Sequence, residues 1–169
     1  FSALAEAKKL EAQGKEMIHL GLGQPDFMTP KHIMDAAKKA IDDGHHGYVL
    51  ANGIVECRQA VSRKIKSLYK KEVSPDRIMI MPGGKPTMYF AIQMIGEPGA
   101  EIVHPTPGFP IYESMINYTG AKAVPYDLTK EKDLKFDPEK ILSLITDKTR
   151  LVILINPNNP TGSFVEKPA

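Results

Sequence analysis

The sequence has 169 residues, enough for one ordinary domain that would bury roughly 70% of its unfolded surface. Its hydrophobic fraction of 42% and charged fraction of 25% are typical of soluble globular proteins. The net charge of +2, with basic residues scattered along the chain, argues against a nucleic-acid-binding surface.

Cysteine usage and hydropathy limit the class of protein further. Cys57 is the only cysteine, so an intramolecular disulfide is excluded, and a reducing compartment is expected. No stretch reaches the ~20 apolar residues that a membrane-spanning helix needs, and no signal peptide is recognisable. We therefore expect a cytoplasmic location. The chain starts with Phe1 inside a helical pattern and ends just after a turn motif, so we also expect a fragment.

The first part of the chain reads as three helices. An amphipathic helix is predicted over 2–13, and a second is predicted to open with Thr29 as N-cap and Pro30 as first helical residue. Gly44 is a suitable end for the second helix. A third apolar stripe predicts a helix over about 54–68, and a turn follows at 74–76.

Beyond this turn, short apolar runs alternate with helical patterns. This alternation implies parallel strands joined by helical crossovers, and so an α/β fold with a largely parallel sheet covered by helices on both faces. The predicted strands are 78–81, 101–104, 122–126 and 151–155, and the predicted helices between them are 85–95, 110–118 and 137–144.

Ligands of such sheets bind at the carboxyl ends of the strands, which points to three loops. The loop 82–85, Pro-Gly-Gly-Lys, precedes a helix whose N-terminus would favour an anion such as phosphate. The spacing of its glycines differs from that of a Walker loop, and a plain tight turn is an equally good interpretation. The loop 105–110 holds Phe109 between prolines, where the ring could stack on a flat ligand or simply belong to the core.

The third loop, 156–162, carries the most specific pattern. Two Asn-Pro pairs within seven residues predict a rigid, extended turn, and one of the prolines, Pro157 or Pro160, is a candidate for a cis peptide bond. Such a turn would hold an asparagine amide at the top of the sheet as a hydrogen-bond donor. A turn with no role in binding seldom needs this much constraint.

Together these motifs resemble the N-terminal part of a class I/II aminotransferase of fold type I, a pyridoxal-phosphate-dependent family, and in particular its aspartate aminotransferase-like members. The similar segments occur in the family's order and cover about 20–162. They are Gly21–Phe27 (GLGQPDF), Tyr48 with Gly53 and Arg58, Pro82–Lys85, Pro107–Tyr112 and Asn156–Gly162 (NPNNPTG).

The resemblance implies a role for individual residues. Gly84 and Lys85 would bind the phosphate of pyridoxal 5'-phosphate through backbone N–H groups, Phe109 would stack on its ring, and Asn159 would donate a hydrogen bond to its phenolic oxygen. Tyr48 would reach the phosphate bound by the partner subunit of a homodimer. One further residue, Gly23, would contribute a main-chain donor to the substrate carboxylate.

The resemblance also implies what this chain does not contain. The family's Schiff-base lysine, the aspartate that pairs with the pyridinium nitrogen and the arginine that binds the substrate carboxylate all follow the NPxNPTG motif. We therefore predict no catalytic residue in this chain, and assign 1–45 to a small-domain or arm segment and 46–169 to an incomplete cofactor-binding large domain.

The expected function of the parent protein is transfer of an amino group from an amino acid to a 2-oxo acid. Two alternatives remain open at this stage: a pyridoxal-phosphate lyase or decarboxylase of the same fold, and an inert truncated scaffold. The adjacent pair His45 and His46 lacks further ligands at metal-binding spacing, so no metal site is predicted.

Overall fold

The computed structural model describes residues 2–21, 23–128 and 133–166. The chain divides into two compact units, Phe1–Tyr48 and Val49–Ala169. None of the helices in these described ranges is both long and apolar enough to cross a membrane.

The described part of the first unit contains two helices, α1 (Ser2–Ala12) and α2 (Lys31–Asp42). The start predicted for α2 is wrong by one residue, because Pro30 itself is the N-cap and has an extended ψ of 136°. The predicted end is confirmed. Gly44 adopts a φ of 83°, and its N–H and that of His45 return to the carbonyls of Ile41 and Ala40 at 3.0 and 2.9 Å.

The second unit begins with α3 (Val55–Tyr69), followed by a 3-10 helix at Pro75–Arg77 where the turn was predicted. Arg58 of α3 is only 5% exposed and donates hydrogen bonds to the carbonyls of Gly53 and Pro75, at 3.2 and 2.9 Å. Its guanidinium also lies 3.2 Å from a carboxylate oxygen of Asp76. One buried cation therefore fastens the start of α3 to the 3-10 helix.

The strand predicted at 78–81 is wrong. The Ile78 backbone is extended, but its N–H bonds back to Pro75, and the Ile80 N–H bonds to the Asn52 carbonyl at 3.1 Å. Isolated bonds of this kind do not form the ladder that defines a strand. An apolar run predicts burial, but a strand forms only where a neighbouring segment supplies a ladder of hydrogen bonds.

In the described residues the sheet contains three strands, β1 (Glu101–Thr106), β2 (Lys122–Asp127) and β3 (Thr149–Val152). Their order is β2-β1-β3, and β1 pairs in parallel with both neighbours. The predictions for β1 and β2 are confirmed within two residues, whereas β3 begins and ends earlier than 151–155.

The early end of β3 has a cause in β1. The Ile153 N–H still bonds to the Val103 carbonyl at 2.9 Å, but the next donor along β1 would be the backbone nitrogen of Pro105, which carries no hydrogen. The Tyr126 hydroxyl takes its place and donates to the Ile153 carbonyl at 3.0 Å. The backbone is thus satisfied without a longer ladder.

Helices cover both faces of the sheet, as the alternating pattern predicted. Ile102 packs in one cluster with α4 (Gly84–Gln93) and α5 (Ile111–Thr119), and the next residue, Val103, packs in the other with α6 (Pro138–Ser143). Both side chains are fully buried. The buried members of the first cluster are Ile92, Ala100, Ile102, Tyr112, Met115, Ile116 and Ala121, and those of the second are Val103, Tyr126, Leu128 and Ile141.

Candidate functional site

Three loops meet above the carboxyl ends of β1 and β3. Lys85, in the first turn of α4, places its Nζ atom 5.8 Å from the centre of the Phe109 ring in the loop after β1. Asn158, in the loop after β3, donates from Nδ2 to the carbonyl of Pro107 in that same loop at 3.4 Å. The structure therefore brings together the three segments that the sequence singled out.

The first loop shapes the N-terminus of α4. Gly83 has a φ of 93°, a conformation that favours glycine, and its N–H bonds to the Met81 carbonyl at 2.9 Å. Gly84 is the first helical residue, and no side chain caps the helix. A Cβ atom added to Gly83 would meet no atom within 4 Å, so this side of the turn is open. An uncapped, open helix N-terminus suits a phosphate.

The second loop holds its aromatic ring by close packing. Phe109 is half-buried, and its ring meets Tyr112 edge to face, with centres 6.4 Å apart at 82°. Gly108 allows the tight approach, because a Cβ there would lie 2.4 Å from the Pro105 carbonyl oxygen. The Thr106–Pro107 peptide bond is cis.

The third loop separates its two central asparagines. Asn159 is exposed at the top of the sheet, where a ligand could reach its amide, whereas Asn158 is buried. Both Asn-Pro bonds, at Pro157 and Pro160, are cis. Asn159 is the asparagine that the family resemblance predicts at the site, whereas Asn158 was not predicted, although a small amide between two prolines was the available signal.

Buried titratable groups that were not predicted from the sequence lie beneath the loops. His104 of β1 is buried, and burial lowers the pKa of its imidazole, which favours the neutral ring. Burial also raises the pKa of the Tyr112 hydroxyl, and it raises that of Tyr126 to about 12. These groups thus stay uncharged at neutral pH.

Two predicted site residues, Gly23 and Tyr48, belong to the first unit. Both are exposed, and the Tyr48 side chain makes so few contacts that its exposure is 109% of the reference value. A Cβ atom at Gly23 would have no neighbour within 4 Å. Among the described residues, no three His, Cys, Asp or Glu side chains group together as metal ligands.

Comparison with known proteins shows which family this chain is similar to. The family described as "Aminotransferase class I and II" matches residues 15–169. The aspartate aminotransferase of Bacillus subtilis is 35% identical over 158 residues, which are 94% of this chain and 40% of that protein. The (5-formylfuran-3-yl)methyl phosphate transaminase of Methanocaldococcus jannaschii is 37% identical over 97% of this chain and 42% of its own length.

Solved structures agree with the sequence matches. An alanine aminotransferase from Pyrococcus furiosus superimposes with a TM-score of 0.91 and 33% identity, over 97% of this chain and 42% of that one. An aspartate aminotransferase from Thermus thermophilus, determined with maleate, gives a TM-score of 0.88 at 31% identity. This chain spans about 40% of the length of the curated relatives that it matches.

Proposed function

Since this chain belongs to the family of class I and II aminotransferases, we propose that its parent protein transfers an amino group from an amino acid to a 2-oxo acid, using pyridoxal 5'-phosphate. The observation that carries the proposal is the convergence of three loops, which bring a helix N-terminus, an aromatic ring and an asparagine pair to one edge of the sheet. An anionic phosphate and a flat, hydrogen-bonding ring would match these three features.

The residues of this chain fit such a cofactor. The helix α4 starts at Gly84 and Lys85 without a side-chain cap, and a Cβ atom at the preceding Gly83 would meet no atom within 4 Å, which suits the phosphate group. Phe109 offers a half-buried ring for stacking, and Asn159 offers an exposed amide for the phenolic oxygen. When bound, the cofactor supplies an electron sink for the electrons released at the substrate's α-carbon.

The contribution of this chain is then to bind and orient. The α4 N-terminus would bind the phosphate through the helix dipole and backbone N–H donors, and would so fix the position of one end of the cofactor. Phe109 would set the plane of the ring, and Asn159 would set its rotation within that plane. Fixing these three degrees of freedom before reaction is how a binding segment contributes to rate.

The remaining assignments extend the same proposal to the first unit and to the assembly. Gly23 would offer a main-chain donor to the substrate carboxylate, and Tyr48 would contact the phosphate in the partner subunit of a homodimer. The exposed side chain of Tyr48 supports this assignment, because a second subunit could reach it. Residues 1–45 are proposed as a small-domain segment and 46–169 as part of the large domain.

Proton transfer is assigned to residues outside this chain. None of the lysines near the three loops stands in the motif of the family's covalent attachment site, and Lys85 belongs to the phosphate loop. We therefore expect the 169-residue chain by itself to catalyse no transamination, and measurable turnover by a pure sample would contradict this assignment.

The test uses the full-length protein that contains this chain. After incubation with pyridoxal 5'-phosphate, we expect a visible absorption band that dialysis does not remove and that borohydride fixes covalently. Addition of an amino acid alone should then release one equivalent of 2-oxo acid per bound cofactor. Release of carbon dioxide or of a lyase product would favour another reaction class, and the absence of a band would reject the proposal.

A further inference from the structure

Asn158 is a buried amide whose orientation is fixed by its neighbours. Only 7% of the residue is exposed, and Nδ2 donates both to the Pro107 carbonyl, at 3.4 Å, and to Thr161 Oγ1, at 2.8 Å. A carbonyl oxygen can only accept, so the amide nitrogen must face Pro107. Thr161 Oγ1 is therefore an acceptor in its bond with Asn158.

The hydrogen bonds continue in one direction from Thr161. Ser163 Oγ donates to the Leu134 carbonyl at 2.7 Å, which uses the only hydrogen of that hydroxyl. In the 2.8 Å contact between the two hydroxyls, Thr161 must then be the donor and Ser163 the acceptor. A directed chain of bonds thus runs from Asn158 through Thr161 and Ser163, with the carbonyls of Pro107 and Leu134 at its two ends.

Backbone bonds hold the same loop in place. The Asn158 N–H donates to the Ser163 carbonyl, and the Gly162 N–H donates to the Asn158 carbonyl, each at 2.8 Å. Asn158 Oδ1 is buried and has no hydrogen-bond partner among the described residues. An apolar side chain would avoid the cost of this unpaired oxygen, so the two donors of Nδ2 are the feature that favours an amide here.

The first bond of this series, between Asn158 and Pro107, joins the two segments whose residues would contact the cofactor ring. Pro107 is two residues before Phe109, and Asn158 directly precedes Asn159. We propose that Asn158 is a positioning residue which, through this chain of hydrogen bonds, holds the Phe109 loop at a fixed place relative to Asn159. The inference rests on the proposed function, because it gives those two residues a shared ligand.

The first experiment needs no cofactor. In the full-length protein we compare Asn158→Leu with Asn156→Leu, a change to the same residue type in the same loop. Asn156 is exposed and bonds through its amide to the backbone of Val165 at 2.8 and 2.9 Å. We expect N158L to accelerate amide hydrogen exchange in peptides spanning 105–110, and N156L to accelerate it only around Val165.

The second experiment measures the bound cofactor. With N158L, we expect pyridoxal 5'-phosphate to bind at full stoichiometry, its visible circular dichroism to change, and kcat to fall by about ten- to a hundredfold with little change in KM. Thr161→Val leaves the bond to Pro107 but breaks the next link, so it should shift the same signals in the same direction by less. N156L should match the wild type.

The outcomes separate the inference from the function on which it rests. If wild-type protein binds no cofactor, the proposed function is wrong, and the exchange measurement still decides whether Asn158 holds the loop. If wild-type protein binds cofactor and N158L matches N156L in both exchange and dichroism, the positioning role is wrong. Should N158L fail to fold, T161V carries the test, and wild-type dichroism for T161V would overturn the inference.

Discussion

At the scale of single residues, Gly53 shows most clearly how the backbone restricts the sequence. Its φ of 92° favours glycine, and a Cβ atom would lie 2.8 Å from Cγ1 of Ile80. Gly99 has nearly the same φ, 94°, but its added Cβ would meet nothing within 4 Å. The pair therefore separates the cost of backbone strain from the cost of a steric clash.

We expect Gly99→Ala to lower the free energy of unfolding by about 1–2 kcal/mol, which is the cost of a left-handed conformation. Gly53→Ala should lower it by a further 1–3 kcal/mol or so, because Ile80 must move. Urea denaturation of the two variants in the full-length protein measures the difference. If both variants lose the same unfolding free energy, Ile80 moves aside without cost and the close contact with Gly53 does not affect stability.

The residue scale also shows where sequence reasoning reaches its limit at the site. Gly84, Lys85, Phe109 and Asn159 were identified because motifs carry them, and the structure brings their loops together. Asn158 was missed because its importance comes from a contact with Pro107, a residue 51 positions away along the chain. A sequence motif identifies residues that would contact the ligand. Residues that position them, such as Asn158, are identified only from contacts in the structure.

At the scale of elements, Arg58 decides how α3 is anchored. Its buried guanidinium donates hydrogen bonds to the carbonyls of Gly53 and Pro75, whereas its ion-pair partner Asp76 has an exposed side chain. Replacement by methionine keeps the apolar stem but leaves both carbonyls without this donor. We expect Arg58→Met to cost about 1–3 kcal/mol of unfolding free energy. Thermal denaturation measures it, with Arg63→Met, at an exposed position of α3, as control.

The control should change the unfolding free energy by no more than about 0.5 kcal/mol, as most exposed substitutions do. A large loss in R63M as well would mean that helix propensity or net charge, rather than the buried contacts of Arg58, causes the effect.

Glu101 links β1 to β2 and to the segment before β3, at the opposite end of the sheet from the loops. Its carboxylate accepts hydrogen bonds from Lys122 at 2.8 Å and from Thr146, just before β3, at 2.7 Å. These bonds, that of Lys122 foremost, lower the pKa of the carboxyl below its ordinary value of 4.5. A lowered pKa means that the native state releases this proton more easily than the unfolded state does.

The sign of the pH dependence follows. The stabilisation by Glu101 is fully present above about pH 4.5 and is lost as the pH falls through the lowered pKa of the folded protein. We expect Glu101→Gln to be less stable at neutral pH and to lose less stability on acidification than the wild type. Denaturation midpoints between neutral and acid pH test this, with Glu97→Gln as an exposed control. Parallel curves for wild type and E101Q would contradict it.

The elements themselves differ in how well the sequence predicts them. The bounds that periodicity predicts for helices α1, α3 and α5 and strands β1 and β2 agree with the structure to within two residues. The segment 78–81 has the same apolar character as a strand, yet its bonds go to Asn52 and a turn. The end of β3 depends on Pro105 in a different strand. Pairing is a property of two segments, so a single segment cannot reveal it.

At the scale of the whole molecule, the proposed homodimer implies that each active site needs residues from both subunits. If Tyr48 acts at the partner's phosphate while Asn159 acts in its own subunit, each site draws on both chains. Tyr48→Phe and Asn159→Ala should each impair the full-length enzyme, Y48F by weakening cofactor binding about tenfold or more through loss of a bond to a charged group. Activity assays at limiting cofactor show this.

Mixing the two impaired proteins then tests whether sites are shared. After subunit exchange, a hybrid dimer contains one site with both lesions and one site with neither, because the intact Tyr48 comes from the N159A subunit and the intact Asn159 from the Y48F subunit. Random exchange makes half of the dimers hybrids, so about a quarter of all sites, and of wild-type activity, should return. If Tyr48 acted within its own subunit, every site in the mixture would carry one lesion and no activity would be regained.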